Sequence, residues 1–116
     1  IVFAKHIDGY LSLPGGGPEN GETIEQALKR ELDEETSVKV LKYGPIGYIK
    51  YWRKNEPEKV KYQLRFWAKV RLNGEVNDPC GKSIGREIIP INKAAGKLDW
   101  GNAGEALINL AVKKAL

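Results

Sequence analysis

From Val60 to Leu72 every even position is apolar (Val60, Tyr62, Leu64, Phe66, Ala68, Val70, Leu72), while the odd positions are Lys61, Gln63, Arg65, Trp67, Lys69 and Arg71. Successive side chains of a strand point to opposite faces, so this stretch predicts a strand with one buried face. A strand of this length requires neighbours and a layer to cover it. Candidate neighbours are Ile1 to Ile7, the short Leu11-Ser12-Leu13, Val38 to Tyr43, Gly47 to Trp52 beyond a Gly44-Pro45 break, and Glu87 to Ile91. Asn55-Glu56-Pro57-Glu58 reads as an exposed turn, and Asn73-Gly74 ends the alternating strand.

Helices account for the covering layers. Thr23 with Gln26 three residues later has the spacing of a capping box, which predicts a helix from Ile24 to Glu35. Asn102 with Glu105 predicts a second capped start, followed by a mostly apolar stripe of Leu107, Leu110, Ala111 and Lys114. Strands with helices at irregular intervals argue for an α/β fold in which helices sandwich a mixed sheet. At 116 residues the chain is read as a single domain spanning 1–116. It begins with strand-like residues and contains no Met, so some native N-terminal residues are expected to be absent.

Cys80 is the single cysteine and has no partner for an internal disulfide; no apolar run approaches the length of a membrane span. A reduced, cytoplasmic setting is the expectation. Nineteen Lys and Arg against fifteen Asp and Glu give a net charge of +4, which suits a phosphate-bearing partner. The acids are clustered and the bases spread. Glu31, Asp33, Glu34 and Glu35 crowd the last turn of the first predicted helix, where the backbone dipole is negative and cations are favoured.

With Ile24 at zero, Leu28 falls at about 40° and Leu32 at about 80° around that helix; Glu31 at about 340° and Glu35 at about 20° share their side. Glu34 sits at the margin, while Gln26, Lys29 and Asp33 take the solvent face. Surface pairing accounts for Asp33 through Lys29 and for Glu34 through Arg30 at i+4 spacing. It leaves Glu31 and Glu35 without a partner, and like charges so placed repel more strongly as water is excluded. A divalent cation resolves that repulsion, and hard oxygen donors suit Mg²⁺. Ahead of the helix, three consecutive glycines (Gly15, Gly16, Gly17) let the backbone approach a ligand closely.

Taken together, Gly16, five residues, Glu22, seven residues, Arg30-Glu31-Leu32, one residue, Glu34-Glu35, one residue and Ser37-Val38 resemble the signature of Nudix hydrolases. The pattern has Gly where this chain has Ser37, a departure that bears on the turn after the helix. The resemblance implies an α/β/α sandwich and hydrolysis of a nucleoside diphosphate linked to another group, with Mg²⁺ (or Mn²⁺) as cofactor. It implies that Glu34 and Glu35 are metal ligands and that Glu31 is a further ligand or the base. It also implies that Arg30 orients the carboxylates, that Glu22 supports the loop or binds a second metal through water, and that the Gly16 carbonyl joins the coordination shell. A further acid from a distant loop serves some members; Glu87 is the first candidate and Glu75 the second.

On the substrate side, Tyr51, Trp52, Trp67 and Trp100 are candidates to stack on a base. Trp67 stands among Lys61, Arg65, Lys69 and Arg71 on the polar face of its strand, which makes Trp67, Arg65 and Lys61 candidate substrate contacts. A solvated face, or a helix packed over it, is the simpler reading of those residues. The expected substrate is a nucleotide-derived small molecule: a nucleoside triphosphate, an oxidised nucleotide, a nucleotide sugar or a dinucleoside polyphosphate. A catalytically silent module that binds a nucleotide or a nucleic acid is the rival, disfavoured because the helix keeps its acids. Nucleic acid is a weaker partner because the basic residues carry no recognition motif.

Overall fold

The computed structural model describes residues 1–98 and 100–116. In chain order its elements are β1 (Val2–His6), β2 (Leu11–Ser12), α1 (Ile24–Thr36), β3 (Val38–Arg53), β4 (Glu56–Leu72), β5 (Ser83–Ile88), α2 (Ile91–Leu98) and α3 (Asn102–Ala115). The α/β class predicted from the pattern is what the chain adopts. The mixed sheet is replaced by two antiparallel ones: β1 lies between β2 and β5, and β3 pairs with β4 as a long hairpin. Helix α1 packs on β5, β3 and β1, while α3 packs on β3 and β4, and α2 on α3 and β2. Phe3, Ile89, Ala94, Leu98 and Ile108 form a buried hydrophobic core cluster. Between the two sheets runs a cleft of about 840 Å³ whose walls are the glycine loop, α1, the middle of β4 and the inner face of α3.

Several predicted boundaries shift for identifiable reasons. Gly44-Pro45 does not split the strand: β3 continues through it, with irregular register between Pro45 and Gly47 absorbing the missing proline donor. The hairpin turn is Lys54-Asn55, since Arg53 already pairs with Glu56, so the predicted turn at Asn55 to Glu58 belongs mostly to β4. The return strand lies earlier than Glu87 to Ile91, and Ile91 instead begins α2, whose Ala94 and Leu98 are buried. Asn102 does not cap α3; it is the first helical residue, and Gly101 with φ 59° occupies the cap. The buried residues of α3 are Gly104, Leu107 and Ile108, whereas Leu110 is exposed.

The alternating strand departs most from expectation. Its even face is not uniformly buried: Tyr62 is 64% exposed and Leu64 58% exposed, with Val60 and Leu72 also open. Alternation fixed which side chains share a face, but the distal part of the hairpin extends past the layers that would cover it.

Helix α1 begins as predicted. The Thr23 hydroxyl accepts from the Gln26 amide at 3.1 Å, and the Gln26 side chain accepts from the Thr23 amide at 2.9 Å. Its end turns on Ser37, which takes the left-handed conformation (φ 50°, ψ 58°) and donates its amide to the Asp33 carbonyl at 2.9 Å. The Ser37 hydroxyl also donates to the Asn73 carbonyl at 2.7 Å, pinning the helix end to the turn after β4. A non-glycine residue in this region costs about 1 kcal/mol, and a hydrogen bond of this kind contributes about 1 kcal/mol. The two nearly cancel. Ser37→Gly is therefore expected to change stability by less than about 0.5 kcal/mol, whereas Ser37→Ala keeps the strain, loses the bond and destabilises by about 1 kcal/mol; urea denaturation of both variants separates these outcomes.

Candidate active site

Three consecutive glycines meet three charged residues of α1. The Gly15 amide donates to Glu35 Oε2 at 2.9 Å. A Cβ on Gly16 would collide with the Glu31 carboxylate, so only glycine leaves that carboxylate its position. The Gly17 carbonyl accepts from Arg30 Nη2 at 3.2 Å. Loop and helix are thus one unit, and Gly16 is the glycine needed for close approach.

Arg30 is the hub. Its Nε and Nη2 hold Glu22 in a two-point pair at 2.7 and 3.0 Å, and its Nη1 reaches Glu31 at 2.9 Å and Glu34 at 3.2 Å. All four side chains are largely shielded from solvent. The hydrogen bond from Arg30 holds the Glu22 carboxyl below the usual range, reinforced by the Glu19 amide, and Glu22 in turn keeps the guanidinium firmly protonated.

Glu31 is therefore not the unpaired acid that helical spacing suggested. Neighbouring residues on a helix do not face each other; Arg30 reaches Glu31 because Glu22 and the Gly17 carbonyl draw its guanidinium over the loop side of the helix. Of the inward acids Glu31, Glu34 and Glu35, it is Glu35 that lacks a basic partner among the described residues; on the solvent face Lys29 pairs with Glu25 at 3.2 Å and not, as expected, with Asp33. Burial pushes the Glu35 carboxyl above the ordinary value, opposed by the Gly15 amide and reinforced by the charges of Glu31 and Asp78.

The cation missing from the last turn of α1 comes from another element. Arg86 of β5 donates through Nη1 to the carbonyls of Thr36 at 2.9 Å, Ser37 at 3.2 Å and Gly74 at 2.7 Å. It places a positive charge on the negative end of the helix, where the acids are least favoured. Ser83 Oγ lies 2.6 Å from the Glu35 carbonyl and anchors the same turn to β5. Asp78 organises the loop before β5: partial burial acts to raise its pKa, but hydrogen bonds from the Ser83, Cys80 and Lys82 amides bring it below the usual range. No local spacing announces Arg86, Ser83 or Asp78, since each acts at least forty residues from α1.

The proposed distal acids fall outside this cluster. Glu75 and Glu87 are exposed, and among the described residues neither hydrogen-bonds or ion-pairs with the acids of α1. Trp67 and Arg65 do reach the cleft that Gly16 and Glu31 line, whereas Lys61 lies outside it. Trp67 packs over its cross-strand partner Gly44, where a Cβ would stand 2.8 Å from the indole nitrogen. Arg65 lies 5.0 Å from the centroid of the Trp100 ring and hydrogen-bonds Gln63. This face of β4 is thus partly covered by the start of α3.

Carboxylate and carbonyl oxygens are the donors a hard divalent cation takes, and the absence of a Cβ at Gly16 lets the Glu31 carboxylate lie directly against the loop backbone. Among the described residues no three acid, His or Cys side chains converge closely enough to hold a metal ion as they stand. Arg30 occupies oxygens of Glu31 and Glu34 in this arrangement, and Glu35 points to the loop amide.

The NUDIX domain model matches residues 2–108, and the chain belongs to that family. It is 39% identical over 74 residues to an 8-oxo-dGTP diphosphatase of Buchnera aphidicola, covering 64% of this chain and 56% of that protein. It is 36% identical over 77 residues to the 8-oxo-dGTP diphosphatase of Escherichia coli, covering 66% and 54%. The chain thus spans about half the length of these curated relatives. In fold it resembles a pyrophosphohydrolase of Bacillus subtilis (TM-score 0.65, 23% identity, 98% of this chain and 72% of that one). It also resembles the MutT protein of Bacillus halodurans (TM-score 0.67, 21% identity, 91% and 70%). Among the described residues no helix is long and apolar enough to cross a membrane.

Proposed function

We propose that this chain carries the site of a Mg²⁺-dependent hydrolase that cleaves a pyrophosphate bond in a nucleoside diphosphate linked to another group. The observation that carries this reading is the joining of the glycine loop to Arg30, Glu31 and Glu35 through one contact each. Glu31, Glu34 and Glu35, with the Gly16 carbonyl, would hold the ion; Mn²⁺ satisfies the same donors. A divalent ion held by these residues would supply neutralisation of phosphate charge and acidification of water.

The chain's own residues supply the rest. Arg30 positions Glu31 and Glu34 while Glu22 fixes the guanidinium. Glu31, against the backbone of Gly16, is either a further ligand or the group that takes a proton from water. Glu35, half-buried and lacking a basic partner, gains most from a cation. Trp67 and Arg65 form the substrate wall of the cleft. Because the curated relatives are 8-oxo-dGTP diphosphatases, oxidised nucleoside triphosphates lead the candidate substrates.

The test is a release assay against 8-oxo-dGTP, unmodified nucleoside triphosphates, nucleotide sugars and dinucleoside polyphosphates, with and without Mg²⁺. Hydrolysis that requires the metal is expected for at least one class, with a nucleoside monophosphate among the products. Silence across the panel, coupled with nucleotide binding, would assign the domain to recognition without catalysis.

A further inference from the structure

We propose that the distal β3–β4 hairpin, from Tyr48 to Arg65, is a docking surface for single-stranded nucleic acid. The sequence has no recognition motif there; the arrangement in space makes the case. Beyond Gly44 no residue of β3 is fully buried, and β4 has none at all; Ile49 and Arg65 lie near Trp100 and Ala103 at the start of α3, while the Tyr48–Tyr62 face and the hairpin tip form an exposed arm. Cross-strand register puts Tyr48 opposite Leu64 and Lys50 opposite Tyr62, so these four share one face, with Tyr51 and Lys61 paired on the other. Tyr48 is 67% exposed, Trp52 55% and Tyr62 64%. The Tyr48 and Tyr62 rings meet edge-on at 5.4 Å, leaving ring surface open to solvent.

Charge selects the occupant. From Tyr48 to Arg65 there are six bases (Lys50, Arg53, Lys54, Lys59, Lys61, Arg65) and two acids (Glu56, Glu58), so the arm carries a net charge equal to the +4 of the whole chain. Lys59 pairs with Glu56 at 3.1 Å; Lys50, Arg53, Lys54 and Lys61 make no ion pair among the described residues. Two such arms repel, which weighs against a second copy of the chain. Exposed aromatic rings interleaved with unpaired cations suit bases that stack and phosphates that follow them, a mode tolerant of sequence. Tyr62, Gln63 and Arg65 also line the cleft that contains Gly16 and Glu31, so a strand on the arm lies beside the acidic site.

The experiment is fluorescence anisotropy with labelled dodecamers of oligo(U) and oligo(dT), without metal and without a terminal pyrophosphate, which separates it from the hydrolysis reading. Four phosphate contacts predict a log–log salt slope of about −3, hence a loss of about fiftyfold between 50 and 200 mM salt. Lys50→Glu with Lys54→Glu should weaken binding at least tenfold and flatten the slope, leaving mononucleotide hydrolysis and melting temperature unchanged. Tyr48→Ala with Tyr62→Ala should weaken binding while keeping the slope. Absence of binding at 50 mM salt, or affinity and slope indifferent to the Lys50/Lys54 charge reversal, overturns the proposal. Sedimentation showing dimers that this reversal alters, without oligonucleotide binding, would give the arm to a second copy.

Discussion

Glu35→Gln is expected to lower turnover by about two to four orders of magnitude, the scale on which essential acid groups act, while raising metal-free stability. The two effects have one cause. Glu35 is half-buried, accepts a single backbone amide at 2.9 Å and lies close enough to Glu31 and Asp78 for their charges to raise its pKa. Its ionised form is thus disfavoured by the fold until a cation arrives. A glutamine retains the acceptor for the Gly15 amide and removes the charge. The pH dependence follows in sign: a carboxyl raised by folding gives stability that is full below its unfolded value and is lost as pH rises through the folded value. In EDTA the parent should therefore lose stability over that window, and Glu35→Gln should not. Millimolar Mg²⁺ should raise the parent's melting temperature more than the variant's. Parent-like activity, or a variant less stable in EDTA, would mean that Glu35 is a structural acid.

The position of Glu35 is legible in the sequence, but its surroundings are set only by the fold. Helical spacing placed Glu31 and Glu35 on the inner side of α1 and Glu34 at its margin, and the capping box located its start, because both depend on residues within two turns. Pairing depends on chain reversal. Arg30 meets Glu22 eight residues earlier across the loop, and Arg86 meets Thr36 across fifty residues, so neither contact leaves a periodic trace. The alternating strand shows the same limit: it sorted Tyr62 and Leu64 onto one face, yet what covers a face depends on where the other layers end. Ser37 is the converse case, since its departure from glycine marked a backbone position that the structure shows to be left-handed. A hydroxyl bond to Asn73 is what makes serine acceptable there.

Arg30 supports the second large expectation. Arg30→Lys keeps a positive charge but not the planar fork that reaches Glu22, Glu31 and Glu34 together. Arg30→Ala leaves all three carboxylates without it. Partners that orient metal ligands typically contribute about ten- to hundredfold, and Arg30→Ala is expected at the upper end of that range, with Arg30→Lys between it and the parent. Because Arg30 acts through the acids, the loss should fall on kcat, and the Mg²⁺ needed for half-maximal rate should change with it. Stability supplies a second readout. Glu22 is held below its unfolded pKa by Arg30, so it contributes stability that is present above the unfolded value and lost as pH falls through the folded one. In Arg30→Ala that acid-side loss should largely vanish, and the Glu22 carboxyl should titrate near the ordinary range by carbon-detected NMR. With the internal cation gone, the remaining acids depend more on an external one, so Mg²⁺ should stabilise Arg30→Ala more than the parent. A variant that loses activity while its Glu22 titration and Mg²⁺ response match the parent's would show that Arg30 works elsewhere than on these carboxylates.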